Sequence, residues 1–96
     1  MAYKQAIKVS EARVLIFLKA APVRRRYTRA ISSKLGIEYG YLLRILKGMV
    51  FKHWITKEST PVKTYYHIKD IAPYDDAVVV LGDFRKDKKA EQRKLN

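Results

Sequence analysis

Two runs of residues carry the chemistry open to this chain. Arg24, Arg25 and Arg26 stand together with Arg29 close behind, and Tyr39-Gly40-Tyr41 is followed by Leu43, Arg44 and Lys47. Guanidinium and ammonium groups mixed with phenols suit a polyanion, because forked cationic donors hold phosphate oxygens and an arginine also grips a guanine edge bidentately. Catalysis finds no comparable set. His53 and His67 are the only histidines, neither belongs to a metal or nucleophile motif, and cysteine is absent. Asp75 and Asp76 are adjacent, but a place at a helix start explains them without acid–base chemistry. The glycines at 36, 40, 48 and 82 are scattered, so no glycine-rich phosphate loop is present. The expectation is a binding protein and not an enzyme, with no metal and no cofactor.

The charge agrees. The 96 residues hold 21 Lys plus Arg against 9 Asp plus Glu, a formal net charge of +12. Residues 1–50 carry 11 basic and 2 acidic residues, whereas residues 51–96 carry 10 and 7, so the excess sits in the first half. An excess of this size on one small domain points to nucleic acid. A core this small is marginal, which makes oligomerisation a natural source of further buried surface. The longest apolar runs, Val14 to Leu18 and Val78 to Leu81, are too short to span a bilayer, and no secretion-like run lies near the start. Both point to an intracellular protein without a membrane partner.

The elements that must position these groups follow from caps and periods. Residues 1–9 read as a basic N-terminal arm. Ser10 is a good N-cap, Glu11 suits the first turn, and Val14, Leu15, Phe17 and Leu18 give a helix-period face ended by Ala20 to Pro22. Thr28 caps a second helix with Ala30, Ile31 and Leu35 inward and Gly36 just past its end. A third helix runs from Glu38 or Tyr39 to Phe51, with Leu42, Ile45, Leu46 and Met49 at core spacing. Two short helices joined through Leu35-Gly36-Ile37 form a helix-turn-helix signature. Trp54 to Lys57 and Val62 to Ile68 then read as hairpin strands around Glu58 to Pro61, with Thr64, Tyr66 and Ile68 on one face. Pro73 starts a fourth helix with Asp75 and Asp76 in its first turn and Arg85, Lys86, Lys88 and Lys89 near its end. Val78-Val79-Val80 and Gly82 also admit a strand there. The segment beyond, residues 91–96, is a charged tail.

Tyr27 to Ile37 resembles the second helix and turn of winged helix-turn-helix regulators. Gly40 to Lys47, with Met49, Trp54 and Ile55, is similar to their recognition helix running into the wing, and Lys63 to Ile68 to the second wing strand. The resemblance covers residues 10–70 and is to the small archaeal MarR, ArsR and PadR-like type. It implies an α+β, mainly α fold of three helices plus a β-hairpin wing, with a C-terminal dimerisation helix over residues 71–90. Two departures stand out: His53 where a glycine commonly closes the recognition helix, and Gly48 inside that helix. No effector-binding domain is evident, and no small-molecule effector.

On this reading helix 3 enters the major groove, with Tyr39, Gly40, Tyr41, Leu43, Arg44 and Lys47 toward the bases and Gly40 allowing close backbone approach. Arg24, Arg25, Arg26, Thr28, Arg29, Lys57 and Lys63 are the expected phosphate contacts. Tyr74, Val78, Leu81 and Phe84 are the expected dimer interface, because apolar groups on several faces of one helix need another chain. The expected function is a dimeric, nucleoid-associated transcriptional regulator of the cytoplasm, binding double-stranded DNA at a pseudo-palindromic site. Two alternatives stay open: a DNA-organising or plasmid-partition protein that spreads on DNA, and an RNA-binding or ribosome-associated protein stacking bases on its tyrosines.

Overall fold

Helix α1, Val9–Ala20, runs through the middle of the molecule, touching every helix and the second strand. The computed structural model describes the backbone of residues 6–95 and the side chains of residues 6–85. Most of the basic arm, and the side chains of the charged tail, lie outside the described residues. Ala12, Val14, Leu15 and Leu18 of α1 are fully buried. The helix starts one residue before the expected cap. Instead of Ser10, the Glu11 carboxylate closes its first turn by accepting the Lys8 backbone N–H at 2.9 Å. Glu11 is itself buried and pairs with Lys52 Nζ at 2.8 Å, tying the start of α1 to the end of the third helix.

Pro22 ends α1 and leads into a 3-10 turn over Val23–Arg25. Helix α2, Thr28–Leu35, follows, and Gly36 adopts the left-handed conformation (φ 65°) expected at its end. The turn is locked twice, by the Ile37 N–H on the Ser32 carbonyl (3.2 Å) and by the Ser32 hydroxyl on the Ile37 carbonyl (2.6 Å). Helix α3, Tyr39–Phe51, buries Leu42, Leu46 and Met49 at intervals of four and three, as its sequence period predicts.

The close of α3 is unusual. His53 takes the left-handed conformation, φ 63°, with its N–H on the Val50 carbonyl at 3.0 Å while Trp54 N–H reaches Met49 at 3.0 Å. These two bonds make a Schellman motif, in which glycine is the residue that fits without strain. The turn is therefore the one glycine makes, built with a side chain that pays a steric penalty of about 1 kcal/mol. His53→Gly should raise the unfolding free energy by about that amount, read as a shift in the urea midpoint; no shift, or a fall, contradicts it.

Strands β1, Ile55–Ser59, and β2, Thr64–Ile68, pair antiparallel with Ile55 opposite Ile68 and Lys57 opposite Tyr66. β1 starts one residue and β2 two residues later than the sequence suggested, for two reasons. Trp54 is drawn into the core beneath Lys52, whose Nζ sits 4.4 Å from its ring centroid. Thr60 also closes the loop with its own hydroxyl, which donates to the Lys63 carbonyl (2.7 Å) and accepts the Lys63 N–H (2.9 Å). On its other edge β2 meets the chain just before α2, through a Tyr27–Tyr65 bridge and a Tyr66 N–H to Arg26 carbonyl bond of 2.8 Å.

Helix α4, Tyr74–Leu95, starts where Pro73 predicts and continues beyond the expected end at residue 90. The Val78-Val79-Val80 run is helical. Ala77, Val80 and Leu81 are buried, and α4 packs chiefly on α1 of its own chain. Among the described residues the chain is thus a mainly helical α+β fold, four α-helices and one two-stranded hairpin. No helix among them is long and apolar enough to cross a membrane.

Candidate nucleic-acid interface

Three elements converge on one side of the molecule: the start of α2, the start of α3 and the hairpin loop. They enclose a cleft of about 330 Å³ lined by Tyr27, Arg29, Tyr39, Thr60, Lys63 and Thr64, among others. Arg29 lies over the Tyr39 ring at 5.2 Å, and Lys63 lies over Tyr27 at 3.9 Å. Tyr27 in turn meets Tyr65 edge to face with ring centroids 6.1 Å apart. The aromatic faces hold both cations in place without neutralising them. Of the expected phosphate contacts, Arg29 and Lys63 are therefore brought together with Tyr39. Lys57 does not join them, since it shares the side of the hairpin that carries Tyr66.

Two further expected contacts are engaged inside the fold. Arg26 is half-buried and its Nε donates to the Ala21 carbonyl at 2.9 Å, so it joins the end of α1 to β2. Thr28 is buried, and its hydroxyl is hydrogen-bonded to Tyr66. It occupies the first turn of α2, while the cap position belongs to Tyr27. Burial pushes the Tyr66 phenol above its ordinary pKa, against the opposing effect of that hydrogen bond. Arg24 and Arg25 are exposed on the 3-10 turn.

On α3, Tyr39, Tyr41, Leu43, Arg44 and Lys47 are all exposed, with Tyr41 at 52% and Leu43 at 39%. An exposed leucine and tyrosine on the polar side of a helix are surface the domain's own core does not use. Glu38 is the residue that sequence reasoning passed over. Its carboxylate accepts the N–H groups of Gly40 (2.8 Å) and Tyr41 (2.9 Å), capping α3. Those bonds, first from Gly40 and then from Tyr41, hold its pKa below the usual carboxylate range, and the nearby Arg44 charge adds to the effect. Gly40 gains a second explanation, because a Cβ there would stand 3.3 Å from both Glu38 oxygens. A usable signal existed: Glu11 and Glu38 are the only acids in residues 1–50, and both cap helices.

Among the described residues the ion pairs are Lys52–Glu11 and, across the hairpin, His67–Glu58 at 2.7 Å. Arg24, Arg25, Arg29, Arg44, Lys47 and Lys63 make no ion pair among the described residues, although Arg44 lies near enough to Glu38 to lower its pKa. No cluster of three or more metal-ligating side chains occurs among the described residues.

The expected dimer residues divide. Leu81 is 7% exposed against its own chain, and Tyr74 is half-buried with Lys19 Nζ 5.6 Å from its ring. Val78 and Phe84 are exposed at 45% and 38%, and the neighbouring Val79 at 50%. Comparison with family models, curated proteins and solved structures found no match to the chain.

Proposed function

We propose that the chain is a winged helix-turn-helix protein that binds double-stranded DNA as a dimer, regulating transcription at a pseudo-palindromic site. The observation that carries this reading is the cleft where Arg29 and Lys63 meet Tyr27 and Tyr39, with Arg44 and Lys47 exposed on α3 and Arg24 and Arg25 exposed on the 3-10 turn before α2. A helix whose outer side offers Tyr41, Leu43, Arg44 and Lys47 has the size and chemistry for a major groove. Arg44 reads a base edge, with Tyr39 and Tyr41 beside it against thymine methyls or phosphates. Arg24, Arg25, Arg29 and Lys63 fix the register on the backbone.

These roles separate in a pair of substitutions. Arg44→Ala should weaken binding to a duplex selected from random sequences by about 1–3 kcal/mol while changing non-specific binding much less. Arg25→Ala should weaken both to a similar extent. Equal behaviour of the two variants on both duplexes overturns the assignment.

The dimer rests on α4. With Leu81 and Tyr74 turned to their own chain, the exposed Val78 and Val79 are the apolar groups left for a second copy, with Phe84 beside them at 38% exposure. Twofold pairing there would set two recognition helices about 34 Å apart, one turn of DNA. Sedimentation at micromolar concentration should return twice the chain mass of 11.2 kDa; a species of 11.2 kDa defeats the dimer.

A further inference from the structure

A second concavity lies away from the α3 surface, between α1, α2 and α4, with a volume of about 520 Å³. That is within the range of small-molecule sites, roughly 300–1,000 Å³. Its floor is aliphatic and aromatic: Ile16, Phe17 and Leu35 are half-buried there, and Leu81 is buried. Its rim is cationic. Arg25, Lys34 and Arg85 line it, all exposed and without an acidic partner among the described residues, and the lining contains no acid. Arg13 adds a fourth positive charge, its orientation set by a hydrogen bond from its guanidinium to the Leu35 carbonyl.

We infer that this groove binds a short aliphatic chain ending in a carboxylate. The two halves of the lining select the two halves of the ligand. A bare inorganic anion would leave the apolar floor wet, and a neutral hydrocarbon would leave the cations on the rim unanswered. A second copy of the chain is a poorer occupant, because the exposed valines of α4 that would meet it, Val78 and Val79, are not in the lining. The groove also touches the DNA reading through Arg25, which stands both on its rim and among the proposed phosphate contacts. A bound carboxylate would draw the Arg25 guanidinium inward and weaken duplex binding; this coupling rests on the proposed function, whereas the site does not.

Sodium octanoate is the probe, with octanol and acetate as controls, followed by backbone amide NMR on the full chain without DNA. Octanoate should shift amides around Ile16, Phe17, Leu35 and Leu81 at concentrations where acetate shifts none and octanol binds more weakly. Lys34→Glu with Arg85→Glu, both at exposed positions, should weaken octanoate binding about tenfold, a change of about 1.4 kcal/mol, and leave octanol unchanged. Scattered shifts, equal binding of octanol, or an unaffected double variant overturn the site. Duplex titration with octanoate against acetate at equal ionic strength then tests the coupling: unchanged DNA affinity removes it. If the chain binds no duplex at all, the proposed function and the coupling fail, and the amide shifts still decide the site.

Discussion

Raising salt from about 50 mM to about 200 mM should weaken duplex binding by about 10³- to 10⁵-fold. Each neutralised phosphate releases condensed counterions, so log affinity falls linearly with log salt. Six to ten phosphate contacts per dimer give a slope on the order of −5 to −9. The structure bears on which residues supply them. Arg26 and Thr28 are used internally and Lys57 lies on the side of the hairpin that carries Tyr66, which leaves Arg24, Arg25, Arg29 and Lys63 in each protomer. Two protomers so equipped fall in the middle of that range when all four engage. Removing Arg29 or Lys63 singly should flatten the slope by about one or two for a dimer. An affinity independent of salt would remove nucleic acid as the partner, because nothing else about a surface of unpaired cations predicts tight binding that ignores counterions.

Leu15→Ala should destabilise the protein by about 2–5 kcal/mol, out of a total of about 5–15 kcal/mol for a domain of this size. Leu15 is fully buried in α1, the helix on which α2, α3, β2 and α4 all pack. A truncated side chain there opens a cavity that no single neighbour can fill without losing another contact. Chemical denaturation should show the midpoint falling with an unchanged slope. A loss under about 1 kcal/mol would mean that α1 is not the shared support of the fold.

Much of this architecture was legible in the residues. The bounds of α2 and α3 follow from Gly36 and from the spacing of Leu42, Leu46 and Met49, which are local facts. What escaped was decided at a distance. Trp54 has the β preference of a strand residue, but packing beneath Lys52 outweighs it. Arg26 belongs to a run of three arginines that look alike in sequence, and only the Ala21 carbonyl distinguishes it. Glu38 caps α3 although glutamate is not among the preferred cap residues, so Gly40 was credited wholly to a ligand. On α4 the apolar residues were too many for one face, which suggested a second chain for Tyr74, Val78, Leu81 and Phe84. The structure sends Ala77, Val80 and Leu81 to α1 and leaves Val78, Val79 and Phe84 outside. The proposed interface shrinks accordingly. For the proposed DNA surface, Arg29, Tyr39 and Lys63 were each foreseen, but their meeting in one cleft was not, because it depends on how the hairpin leans against α2.

That lean has a mechanical meaning. β2 is stitched on one side to β1 and on the other to residues 26 and 27, so a swing of the hairpin has to break the Tyr66 N–H to Arg26 carbonyl bond and the Tyr27–Tyr65 bridge at the start of α2. Loop and helix behave as the two jaws of a fixed gauge. On the proposed function, a duplex set between them would have to match that span or be bent to it, and the adjustment would fall on the nucleic acid. Preference among sites would then include how readily each sequence deforms, beyond the base contacts proposed for α3.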